Sequence, residues 1–252
     1  MKLIALIFSS FFIMLASLVG VFFTIKFLSD WTKKNIKYLL AFASGVFTIV
    51  SYNLVNEALE LGTNTLFVWM AIICGFLVFL IVERFYPDIH CHHDNQRCLS
   101  KDLNGGAKKI LIGDSFHNIG DGVLLAPIFV ANIKLGLMVA FGILIHEIVQ
   151  EISEFFVLKN AGYSTKKALT LNFLTSSTIL IGAIGGFYLS FLEYLIGPFI
   201  GFTAGVFIYI LLADLVPKSI RYSRQEKKYF NYIVWIIFGI LLILAVNLLV
   251  GN

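Results

Sequence analysis

The chain has 252 residues, 59% of them hydrophobic and 13% charged, against about a quarter charged in an average soluble domain, and its mean hydropathy is +0.89. That composition excludes an ordinary soluble globular domain and reads as an all-α integral membrane protein. The net charge of +4 gives no reason to invoke a nucleic-acid partner, because the basic residues gather between apolar runs.

Apolar runs of about 20 residues match a hydrocarbon layer roughly 30 Å thick. The sequence predicts eight such spans, at 3–28, 38–61, 66–85, 109–131, 135–159, 166–189, 196–215 and 229–250. Lys2 ahead of the first run looks like the start of a signal peptide, but the run outlasts such a segment and shows no A-x-A pattern, so a span is predicted. Cys74 in the third span is expected to be a small packing residue. The longest connection, 86–108, follows that span, so residues 1–252 form one transmembrane domain. Small residues at Gly182-x-x-x-Gly186 and Gly201-x-x-x-Gly205 predict close helix packing.

Topology follows from the loops. With the connections after spans 1, 3, 5 and 7 in the cytosol, only Lys2 and Lys134 among the 19 basic residues fall on the other side. The positive-inside rule then places both termini outside the cytosol. In a cytosolic loop, Cys91 and Cys98 are not expected to hold a disulfide.

The informative residues are polar ones where lipid penalises them. Span 4 carries Asp114, His117, Asn118 and Asp121, spaced i, i+3, i+4 and i+7, which gathers them on one helical face. Span 5 carries His146, Glu147, Gln150, Glu151 and Glu154, again on one face, as expected of a stripe turned to a bundle interior or a wet cavity. A central Asp costs roughly 2.5 to 3.5 kcal/mol on insertion scales, and neither span has a central Lys or Arg to neutralise these carboxylates. A divalent cation held by imidazole and carboxylate supplies the counter-charge; that donor set suits Zn²⁺ and other first-row ions, and the lack of thiols argues against Cu(I).

At these two spans the chain resembles the ZIP (Zrt/Irt-like protein) family of metal transporters. The similarity runs through A-F-A-S-G-V-F of span 2, H-N-I-G-D-G of span 4, H-E-I-V-Q-E of span 5, K-A-L-T-L-N-F-L of span 6 and F-T-A-G-V-F-I-Y-I-L-L-A-D-L-V-P of span 7. The resemblance implies an eight-transmembrane-helix bundle that carries divalent metal toward the cytosol through a site between spans 4 and 5. It implies a metal set of His117, Asn118, Asp121, His146, Glu147, Gln150 and Glu151. Of these, His117, Asp121, Gln150 and His146 surround the primary ion, and Asn118 and Glu147 lean toward an adjoining second one. Zn²⁺ is the expected cargo, with Fe²⁺, Mn²⁺ and Cd²⁺ as alternatives; no catalytic cofactor is expected.

The chain departs from the family pattern at several points. Val149 stands for the usual fifth-span proline, Gln150 for the histidine of many members, and Ile179 and Leu180 for a sixth-span Glu-Pro. H-x-x-P-E of span 2 becomes Asn53, Asn56 and Glu57, and D-x-x-P-E of span 7 ends on Lys218. Glu57 and Asp214 remain pathway candidates at the outer and inner ends, beside Asp114 and Glu154 in the stripe. His90, Cys91, His92 and His93 in the long loop, with Asp94 and Cys98, form a candidate metal relay, although no zinc-finger spacing is present. Pro127, near Gly120 and Gly122, is a candidate bending point of span 4.

Two other functions fit parts of the pattern. His146-Glu147 opens an H-E-x-x-H metalloprotease signature whose fifth position is Gln150, and the same ligands would serve a metal-binding membrane sensor that carries nothing. The lipid bilayer and the metal ion are the expected partners, and a second copy of the chain is a candidate one. The short connections suggest a multi-pass protein of a plasma membrane, in a bacterium the inner one.

Overall fold

The computed structural model describes residues 1–24, 26–61, 64–85, 103–190 and 193–250. All regular elements among them are helical: α1 (Lys2–Met14), a 3₁₀ run (Leu15–Thr24), α2 (Lys26–Leu61), α3 (Thr65–Phe85), α4 (Leu103–Ala131), α5 (Ile133–Asn160), α6 (Thr165–Ser176), α7 (Thr178–Leu189), α8 (Ile196–Tyr209), α9 (Val216–Glu226) and α10 (Tyr229–Val250). A short 3₁₀ turn, Glu193–Leu195, precedes α8, and a π-helical turn, Ile210–Leu215, joins α8 to α9.

Six helical rods of the described residues are long and apolar enough to cross a membrane, and Thr65–Ile81 is a shorter apolar helix. The rod built on α4 is not among the six, because Asp114, His117, Asn118 and Asp121 lower its hydropathy. Several boundaries differ from the sequence expectation. Span 1 tightens from α to 3₁₀ after Met14. Span 2 starts at Lys26 rather than 38, since no proline interrupts the helix before Leu61. Span 6 is interrupted at Ser177. Span 7 continues past 215 to Glu226 through the π turn, which sits just ahead of Pro217, whose missing N–H disrupts α-type pairing.

Local signals set the ends. Asn64 Oδ1 accepts from the amides of Leu66 and Phe67 at 3.0 and 3.3 Å, and Asn132 Oδ1 from Lys134 and Leu135 at 3.0 and 3.2 Å, so each fills vacant helix N-terminal donors. Gly162 closes α5 at φ 88°, a backbone state that costs glycine little.

Small residues decide which rods touch. α4 packs on α7, α3 on α8 and α2 on α10. At the first crossing a Cβ on Gly122 would overlap the Ile179 carbonyl oxygen, and one on Gly182 the Ile119 carbonyl oxygen. Gly122, expected near a bending point, thus serves as a point of backbone contact. At the second crossing Gly205 lies in the same way under the Ile72 carbonyl. Both predicted small-residue motifs are therefore packing surfaces. Cys74 is exposed instead, on a rod whose outward face carries Leu66, Phe67, Trp69, Met70, Ile73 and Leu77, a surface suited to lipid.

Candidate metal centre

The two polar stripes meet. α4 and α5 pack against each other, and Asp114, His117, Asn118, Asp121, His146, Glu147, Gln150, Glu151 and Glu154 are all at most 7% exposed. Chain direction orders them: α4 and α5 run oppositely, so His117 and Asp121 lie level with His146, and Asp114 lies level with Gln150 and Glu154.

His117 is the hub of one end. Its Nε2 lies 3.3 Å from Glu147 Oε1 and 3.7 Å from Asp121 Oδ2, and its ring centroid is 5.6 Å from that of His146. One ligand atom each from His117, His146 and Glu147 falls within 4.8 Å of the others. Aromatic rings wall this end, with Phe47 at 5.9 Å from His146 and Phe79 at 6.3 Å from His117. Phe47 in turn stacks on Phe207 at 4.8 Å, and Phe79 meets Tyr209 edge-on at 5.9 Å.

The other end contains only oxygen donors and amides. Asp114 Oδ1 accepts from Asn118 Nδ2 at 2.9 Å and from Gln150 Nε2 at 2.8 Å; the same Gln150 nitrogen reaches Glu154 Oε1 at 3.3 Å. Ser176 donates to Glu151 Oε1, and Asn172 Nδ2 donates to the Glu151 carbonyl at 3.2 Å. Asp114, Glu147 and Glu151 form a second group whose oxygens lie within 4.8 Å of one another.

All seven residues of the expected metal set are therefore buried along the α4 and α5 stripes, and Asp114 and Glu154 are buried with them. Glu57 does not: it accepts from Asn132 Nδ2 at 3.4 Å in a separate cavity of about 250 Å³, lined also by Asn53, Asn56, Glu60, Met138 and Asn247. Asp214 sits in the π turn, ion-paired to Lys218. His90, Cys91, His92 and His93 lie outside the described residues. Sequence reasoning missed Asn172 and Ser176, although two polar residues four apart in span 6 form a stripe of the same kind. It also missed the aromatic wall, which no local pattern marks.

Two departures have visible consequences. α5 is helical without interruption through Val149, as expected where proline is absent. Gln150 uses its amide on Asp114 and Glu154, so the imidazole that joins His146 and Glu147 comes from His117 on another helix. The H-E-x-x-H protease geometry is not assembled here.

The chain is similar to several known metal transporters. The chain is 34% identical over 134 residues to an uncharacterized zinc transporter of Schizosaccharomyces pombe, covering 49% of this chain and 30% of that protein. It is 30% identical over 146 residues to the zinc transporter ZIP10 of Danio rerio, covering 54% and 17%. A 28% identity over 196 residues links it to the zinc transporter zipt-7.1 of Caenorhabditis briggsae, covering 63% and 49%. The chain thus spans between 17% and 49% of these relatives' lengths. A family model described as ZIP Zinc transporter matches residues 88–247, a stretch that holds both polar stripes, and the chain belongs to that family.

Proposed function

We propose that the protein transports divalent transition metal ions, zinc first among them, across a membrane toward the cytosol, through a site between α4 and α5. The observation that carries this reading is the convergence of His117, His146 and Glu147, all three buried, within 4.8 Å, a donor set suited to Zn²⁺. Asp121, Asn118, Gln150 and Glu151 complete the metal set, and Asp114 and Glu154 continue it toward the inner end. Eight spans with both termini outside the cytosol are supported by the eight helical rods and by the one-sided distribution of Lys and Arg. On that orientation the cavity beside Glu57 opens on the outer side and Asp214 lies toward the inner side. A plasma membrane, bacterial or otherwise, is the location that fits such an importer.

A cation leaving water exchanges its hydration shell for imidazole nitrogen and carboxylate oxygen, so ligand quality decides whether it is held. The test is radiozinc uptake into proteoliposomes by the parent, His117→Ala and Asp121→Ala. A loss of at least about tenfold, the cost of weakening binding by roughly 1.4 kcal/mol, is expected in both; parent-level uptake by both would overturn the reading. Competition by Fe²⁺, Mn²⁺ and Cd²⁺ ranks the cargo.

A further inference from the structure

The corner where α9 turns into α10 is strongly basic. Between Val216 and Ile236 the chain carries Lys218, Arg221, Arg224, Lys227 and Lys228 against a single acid, Glu226. That acid is already engaged: Lys37 pairs with it, and the Tyr38 and Tyr232 hydroxyls donate to its Oε2, each at 3.4 Å. α9 ends on Lys227 at φ 55°, and the Lys228 amide donates to the Ser223 carbonyl at 3.2 Å. Such a left-handed closure is most often made by glycine; here it sets a lysine on the corner.

A cavity of about 310 Å³ lies between the two helices. Ser223, Arg224 and Tyr229 are among its polar lining, and Val216, Ile220, Ile233 and Ile236 supply its apolar lining. Ser223 Oγ donates to the Ile220 carbonyl at 2.8 Å. Among the described residues, by contrast, Arg224 has no ion pair and the Tyr229 hydroxyl no hydrogen-bond partner. A guanidinium fork and a phenol in one cavity match the oxygens of a phosphate ester.

The rim says which phosphate. Ile220, Tyr229 and Ile233 are about half exposed, at the point where the apolar rod Tyr229–Leu248 begins, and tyrosine is a common anchor at a membrane interface. A soluble phosphate gains nothing from an apolar rim, whereas a phospholipid covers it with an acyl chain. The unbalanced cations of the corner favour an anionic headgroup, and a choline headgroup would add a further positive charge to them.

We propose that the corner between α9 and α10 binds an anionic phospholipid, with the headgroup phosphate on Arg224 and Tyr229 and an acyl chain along Ile220 and Ile233. On the orientation proposed above the lipid belongs to the cytosolic leaflet; its binding does not depend on transport.

The test is native mass spectrometry of the full chain purified in detergent, with phosphatidylglycerol and phosphatidylcholine of the same acyl chains. The parent is expected to prefer phosphatidylglycerol by about tenfold or more. Arg224→Gln/Tyr229→Phe is expected to lose that preference, while Lys166→Gln, which removes an exposed cation beside α6, keeps it. Ile220→Glu, a change at an exposed position that leaves every cation in place, is expected to lose it too, and a single symmetric peak on size exclusion reports that each variant folds. Should the double variant fail that check, Ile220→Glu decides alone. Equal binding of the two lipids by the parent, or a preference untouched in the folded variants of the cavity, overturns the site. Displacement of phosphatidylglycerol by millimolar inorganic phosphate overturns the lipid as its occupant.

Discussion

Alanine at Gly182 and alanine at Gly185, three residues apart on α7, should have opposite effects. A Cβ on Gly182 meets the Ile119 carbonyl of α4, which is backbone and has no rotamer by which to withdraw. An ordinary carbon–oxygen contact needs about 3.3 Å, so α4 and α7 must separate locally by roughly 1 Å. Overpacking of this kind costs about 1 to 3 kcal/mol. Gly185 is exposed, and a Cβ there meets nothing within 4 Å, so alanine should leave stability level or raise it by up to about 1 kcal/mol through helix propensity. Ile119 adjoins Asn118, so Gly182→Ala should also weaken zinc binding while Gly185→Ala does not. Thermal unfolding in detergent, followed by size-exclusion monodispersity, measures the first effect and calorimetry the second. Equal melting shifts for the two variants would refute the assignment of Gly182 to a backbone contact.

Ser176→Ala removes the hydroxyl that holds Glu151; a hydrogen bond to a charged group contributes about 1.5 to 3 kcal/mol, so zinc affinity should fall about tenfold or more, and Ser176→Thr should restore most of it. Lys218→Gln strips the ion pair from Asp214, a residue only 5% exposed, and should lower the melting temperature more than Lys37→Gln, which breaks a half-buried pair with Glu226; adding Asp214→Asn to Lys218→Gln should recover the loss. Val149→Pro should interrupt α5 between His146 and Gln150 at about 3 kcal/mol, read as loss of helical circular dichroism signal and of zinc binding. Glu57→Gln should raise the zinc concentration for half-maximal uptake with little change in maximal rate, since Glu57 lines the separate cavity beside Asn132; an equal fall in maximal rate would place it deeper in the path.

Spans and stripes were legible because they rest on period and solvent: an apolar run long enough for a bilayer, and polar residues spaced to share a helical face. The meeting of His117 with His146 was legible only as a need for counter-charge, since periodicity assigns a face and not the helix opposite. Helix ends were read short at Lys26 and Glu226 because hydropathy reports where lipid stops, whereas a helix continues until its hydrogen bonding is broken. The interruption at Ser177 and the π turn before Pro217 depend on backbone pairing, which composition hardly marks. Asn172 and Ser176 escaped notice because single hydroxyl and amide groups are common in spans, and only the Glu151 carboxylate beside them gives them a role.

The arrangement of donors also explains why so many carboxylates are tolerated together between α4 and α5. Asn118, Gln150, Asn172 and Ser176 are all neutral, and each contributes a contact to an acidic residue or its backbone. Had lysine or arginine taken those positions, the carboxylates would be paired permanently, as Asp214 is with Lys218, and a divalent ion would have to displace a tethered cation at every step. Amides and hydroxyls instead keep the oxygens aimed while leaving the negative charge to be balanced by something that can depart. Replacing Gln150 by Lys should therefore stabilise the empty protein and abolish metal binding together. A rise in melting temperature with zinc affinity retained would break the link between the two.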